Sequence, residues 1–132
     1  MYLRIQPTSE IPIYTQLIYQ IKKGIIKKEL MPGESLPSVR SLASDIGINL
    51  HTVNKAYKLL VEEGVLVQQK KGFRVNPSVN LMMKEDQFKA FREKLEELMI
   101  DARIFNVSDE VLMDLKTEIM KILKESDEDD VV

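Results

Sequence analysis

Between Pro37 and Gly64 the chain carries two amphipathic helix patterns with only Gly47-Ile48-Asn49 between them. The first places Val39, Leu42, Ala43 and Ile46 on one side, and Pro37 suits its opening turn. Gly47 stands where a left-handed cap closes such a helix. The second opens at Asn49, a good N-cap residue, and runs to about Glu63 with Val53, Ala56, Tyr57, Leu60 and Val61 on one face before Gly64 ends it. Two short helices joined by so tight a turn read as a helix-turn-helix.

The flanking segments extend this pattern. Ile13, Leu17, Ile18, Ile21, Ile25 and Ile26 recur at three- and four-residue intervals after Pro12, which predicts a first helix over about 12 to 29, stopped by Pro32-Gly33. After Gly64, Val65 to Gln69 and Phe73 to Val75 read as two strands joined by Lys70-Lys71-Gly72, and Asn76-Pro77 ends the hairpin. Two further helices follow, about 79 to 104 and 109 to 125, with a break at Asn106-Val107 and Ser108 as the second cap. Their stripes, Phe88, Phe91, Leu95 and Leu98, then Leu112, Leu115, Ile119 and Ile122, are too narrow to make an independent core and require a partner surface. The sequence therefore divides into a head over 1–77, a two-helix extension over 78–125 and an acidic tail over 126–132 that reads as disordered.

Charge separates the same halves. Residues 1–79 hold 11 Lys/Arg against 6 Asp/Glu, and residues 80–132 hold 8 against 15, within a net charge of -2. A basic head meets a polyanion, whereas an acidic extension is repelled by one. The 132 residues contain no cysteine, which excludes disulfides and thiolate chemistry and fits a cytoplasmic protein. No apolar run approaches the roughly 18 residues that span a bilayer, so no membrane partner is expected. Neither a nucleophile with its base, a metal triad nor a phosphate-cradling glycine loop can be found, so no catalytic activity, cofactor or metal is expected.

Three helices followed by a hairpin are the order of a winged helix-turn-helix, in which the second helix of the pair enters the DNA major groove. With Val53, Tyr57 and Leu60 inward, His51, Lys55 and Lys58 point outward, and Thr52 and Asn54 lie on the shoulders. Asn suits adenine and Thr the thymine methyl, whereas the lysines suit phosphate. The lone histidine has no second strong metal ligand near it in sequence. The rival reading is a winged-helix module used for protein assembly, in which changing Arg40 or Thr52 would have little effect on nucleic-acid binding.

Pro12-Ile13-Tyr14-x-Gln16, Pro32-Gly33-Glu34-x-Leu36-Pro37-Ser38-x-Arg40-x-Leu42-Ala43 and Gly47-Ile48-Asn49-x-x-Thr52-Val53-x-Lys55-Ala56-Tyr57-x-x-Leu60-x-x-Glu63-Gly64 together resemble the GntR family of bacterial transcription regulators. The resemblance covers about residues 11 to 76. It implies a DNA-binding dimer, more often a repressor than an activator. Ser38 would contact phosphate, Arg40 the groove or its backbone, Thr52 the DNA from its helix, and Gly72 the minor groove from the wing tip. Two departures stand out. Leu50 occupies the place after Asn49 where relatives carry Arg or Pro, so no arginine-to-guanine contact is expected there. The wing keeps one glycine, with Lys70 and Lys71 supplying phosphate attraction in place of close approach.

Only about 56 residues follow Asn76, too few for the family's larger effector domains, and this resembles the YtrA-like subgroup. That implies a homodimer built on the two C-terminal helices, reading a palindromic double-stranded operator, with its own operon and a neighbouring transport operon as targets. Regulation is left open between a small-molecule effector, a second protein and the protein's own concentration. The expected fold class is mainly α with a small β-hairpin: a winged helix-turn-helix followed by a two-helix dimerisation extension.

Overall fold

The computed structural model describes residues 3–78 and 82–124. The chain forms two compact units, Met1–Val79 and Asn80–Val132. The first holds α1 (Ile13–Ile26), α2 (Val39–Ile46), α3 (Leu50–Glu62), β1 (Leu66–Gln69) and β2 (Gly72–Val75); the second holds α4 (Glu85–Ile104) and α5 (Asp109–Lys124). Among the described residues, three helices and one antiparallel pair of strands make the winged head read from the sequence, and two C-terminal helices follow, so the fold is mainly helical.

The core of the first unit gathers Leu17 and Ile21 from α1, Leu42 and Ala43 from α2, Val53, Ala56, Tyr57 and Leu60 from α3, and Leu66, Phe73 and Val75 from the hairpin. Burying each of the larger side chains contributes roughly 1.5–3 kcal/mol. The turn between α2 and α3 has the expected chemistry: Gly47 lies in the left-handed region (φ 69°), and the Asn49 Oδ1 accepts the His51 N–H at 2.7 Å. Ser38 caps α2, its Oγ accepting the Ser41 N–H at 3.0 Å, so Pro37 lies just before the helix and not in its opening turn.

Three boundaries differ from the sequence reading. α1 stops at Ile26, not near residue 29, because Lys28 turns left-handed (φ 63°) and the N–H groups of Glu29 and Leu30 both donate to the Gly24 carbonyl. This folds the buried Leu30 back over Gly24, so core packing ends the helix before Pro32-Gly33 is reached. Gly72 is the first residue of β2, paired with Gln69, and the loop is Lys70-Lys71 alone. α4 begins at Glu85 and not near 79, since the extended Lys84 is its N-cap and the Gln87 side chain accepts the Lys84 N–H. The acidic run 126–132 lies outside the described residues.

Two features had no sequence signal. Residues 33–36 add to the exposed edge of β2: Gly33 and Leu36 donate to the Val75 and Phe73 carbonyls, Val75 donates to Glu34, and Ser35 bridges Arg74. The second is a clamp on the N-terminal segment. The Gln16 amide accepts the Gln6 N–H and donates to the Gln6 and Ile11 carbonyls, while the Gln20 amide accepts the Arg4 N–H and donates back to the Arg4 carbonyl. Side-chain amides one helical turn apart thus satisfy alternate residues of an extended segment, doing the work of a neighbouring strand.

Candidate nucleic-acid interface

α3 packs its Val53, Ala56, Tyr57 and Leu60 edge inward, and this sets the direction of every other side chain it carries. His51, Lys55 and Lys58 are exposed, and Thr52 and Asn54 are half-buried at the shoulders. The face is polar and cationic, with its small hydrogen-bonding residues at the N-terminal end. Asn49 spends its carbonyl oxygen on the cap, leaving its amide N–H groups outward-capable.

α2 presents its N-terminus through Ser38 and Arg40, both exposed. Capping uses a lone pair of the Ser38 hydroxyl and leaves its proton free to donate, beside the positive end of the helix dipole. At the hairpin tip Lys70 and Lys71 are exposed and Gly72 is half-buried at φ 119°, a conformation that favours glycine.

One buried residue holds these three parts together. Tyr57, fully buried on α3, donates its hydroxyl to the Pro37 carbonyl at 2.8 Å, fixing the chain just before Ser38. Its ring meets Phe73 of β2 edge-on, with centroids 4.9 Å apart. Burial pushes the phenol well above its usual range, so it remains a neutral donor. Sequence periodicity identified Tyr57 as a core residue; its role as the bolt between α2, α3 and the wing required the fold.

The basic side chains fall into two groups. The Lys55 ammonium sits 3.9 Å over the centre of the Tyr14 ring, and the Lys58 ammonium donates to the Gln68 Oε1 at 3.1 Å, so both have neighbours within the head. Arg40, Lys70 and Lys71 have exposed side chains with no ion pair among the described residues. Gln68, which steers Lys58 toward the wing, carried no sequence signal because its partner is ten positions away on a different element. No group of three or more His, Asp or Glu residues that could hold a metal stands together among the described residues, and none of their helices is long and apolar enough to cross a membrane.

In the second unit Phe88, Phe91, Leu95 and Leu98 of α4 and Leu115, Ile119 and Ile122 of α5 are all exposed, with Leu112 half-buried. Phe88 and Phe91 stack at 6.4 Å. The two helices do not pack along their lengths, so neither stripe covers the other within one chain.

Comparison with known proteins places these features. Residues 13–75 match the bacterial regulatory proteins of the gntR family. The chain is 37% identical over 123 residues to the HTH-type transcriptional repressor YtrA of Bacillus subtilis (strain 168), covering 92% of this chain and 95% of that one. A transcriptional antiterminator from Listeria monocytogenes EGD-e has a similar crystal structure, with a TM-score of 0.89, 30% identity and 96% of each chain covered. The DNA-binding domain of AraR in complex with operator ORX1 matches with a TM-score of 0.50 and 28% identity over 57% of this chain and 98% of that one.

Proposed function

The chain belongs to the gntR family of bacterial regulatory proteins and is a DNA-binding transcription regulator, not an enzyme, and from that premise we propose that it works in the cytoplasm as a homodimeric repressor of its own operon and of a neighbouring transport operon. The observation that carries the DNA-reading part is the convergence of Ser38 and Arg40, the outward face of α3, and the Lys70-Lys71 tip around Tyr57. His51, Thr52 and Asn54 read base edges, and Asn49 supports them through its amide. Ser38, Arg40, Lys55, Lys58, Lys70 and Lys71 bind phosphates, and Gly72 lets the wing approach the minor groove. Residues 1–77 act as the reading head, 78–125 as the dimerisation arm and 126–132 as an acidic tail held off the DNA.

The exposed stripes support the dimer reading. An apolar face of this length on each of two helices needs cover, and a second copy brings the same face through a two-fold axis. Two heads related by that axis match a palindromic operator. A small-molecule effector would act by biasing the spacing of those heads.

The test is fluorescence anisotropy with a fragment from upstream of the protein's own gene and with a scrambled fragment, at roughly 50 and 200 mM salt, where phosphate contacts change affinity most visibly. Tighter binding to the native fragment at both salts is expected. Replacing Lys70 and Lys71 with Ala should lower the slope of log affinity against log salt by about 0.9 per lost phosphate contact in each head. An unchanged slope would remove the lysines from the phosphate contacts. Arg40→Ala and Thr52→Ala should each weaken binding to the native fragment, and indifference to both would favour a protein-assembly role for the winged head.

A further inference from the structure

We infer that α4 pairs with α4 of a second copy in an antiparallel seam whose register is set by reciprocal Lys94–Asp101 ion pairs; this rests on the homodimer reading above. The stripe fixes the heptad positions. Phe88, Leu95 and Ala102 form one core row, and Phe91, Leu98 and the C-cap residue Phe105 form the other. Gln87, Lys94 and Asp101 then flank the first row, and Glu85, Arg92 and Met99 flank the second. Lys94 and Asp101 are exposed, and neither has an ion-pair partner within its own chain among the described residues.

Each possible alignment brings different flanking residues together. Aligned in parallel, the flanking rows put Gln87 by Arg92 and Lys94 by Met99, so no opposite charges meet. An antiparallel alignment with Leu95 facing Phe91 of the second copy brings Lys94 against Lys94 and Arg92 against Arg92. Sliding the other way, with Leu95 facing Phe105, sets Asp101 against Asp101. Between them lies the alignment with Leu95 facing Leu98, which puts Lys94 beside Asp101 twice and sets no like charges against each other.

The same alignment suits the shapes. Phe88 faces Phe105, and rings thus close both ends of the seam. In the antiparallel alignment that overlaps both stripes in full, with Leu95 facing Leu115, pairing α4 with α5 of the partner is less favourable. Setting Lys94 against Glu118 there brings Arg92 against Lys116, so one attraction is offset by one repulsion.

Sedimentation of the full chain first establishes the dimer, and a monomeric parent would overturn the homodimer reading itself. Lys94→Glu and Asp101→Lys should each weaken dimerisation on the order of ten-fold, because two attractive pairs become repulsive, and the double variant should restore it. Combining Asp101→Lys with Lys89→Glu, outside the flanking rows, keeps the same net charge and should restore nothing. Equal rescue by both combinations, or singles that dimerise like the parent, would overturn the register. Since the chain has no cysteine, orientation is read separately. A mixture of Phe88→Cys and Phe105→Cys chains should form a disulfide on oxidation, whereas Phe88→Cys alone should not, its two copies lying about 25 Å apart along the seam. Efficient linking of Phe88→Cys by itself would show a parallel seam and overturn the proposal.

Discussion

Tyr57→Ala is expected to destabilise the head by about 3–5 kcal/mol, the usual loss for removing a fully buried aromatic side chain. That is a large share of the roughly 5–15 kcal/mol that holds a domain folded. Three contributions disappear together: the apolar burial against Leu60 and its neighbours, the edge-on contact with Phe73, and the hydrogen bond to the Pro37 carbonyl. Urea denaturation followed by circular dichroism measures it as a fall in midpoint. Tyr57→Phe separates the parts, since it keeps the ring and removes only the hydroxyl, and a loss of about 1 kcal/mol is expected. A Tyr57→Ala variant as stable as the parent would show that the three contacts carry little of the head's stability.

Phe91→Glu is expected to split the dimer. A carboxylate in an apolar seam has no partner there, and each dimer would bury two of them, about 16 Å apart in the register above. Phe91 is half-exposed in the single chain and contributes nothing to the core of the first unit, so the variant head should melt like the parent. The effect on DNA is larger than on folding. Two tethered heads bind a palindrome with an effective-concentration gain of about 10²–10⁴, and separate heads lose it. Sedimentation should find a monomer, and anisotropy an operator affinity lowered by on the order of a hundredfold or more. A stable dimer carrying Phe91→Glu would place the seam elsewhere.

The parts of this fold that could be read in advance share a property: their cause lies within a few residues. Gly47 and Asn49 announce the turn between α2 and α3 because a left-handed cap and an N-cap are local demands. Periodicity likewise gave the inward face of α3, and with it the exposed side of His51, Lys55 and Lys58. What escaped depends on distant partners. Leu30 ends α1 by packing on Gly24, and residues 33–36 bond to the edge of β2 only because that strand lies beside them, forty residues on. Pro32, Gly33 and Pro37 hid that pairing further by breaking any alternation. The candidate site divides in the same way. A helical wheel aimed Lys55 and Lys58 outward but could not reveal that Tyr14 and Gln68 would receive them, nor that the Tyr57 hydroxyl would reach Pro37.

The ammonium of Lys55 over the Tyr14 ring has an optical consequence. With no tryptophan among the 132 residues, four tyrosines dominate the ultraviolet emission. Tyr57 is sealed in the core, whereas Tyr14 lies under a cation that a phosphate would attract. Withdrawal of that cation changes the electric field on a chromophore a few ångströms away, so under the proposed phosphate role of Lys55 the Tyr14 emission would report DNA binding without a label. Tyr14→Phe provides the blank: it retains an aromatic ring for the lysine while removing the phenol whose emission reports the change.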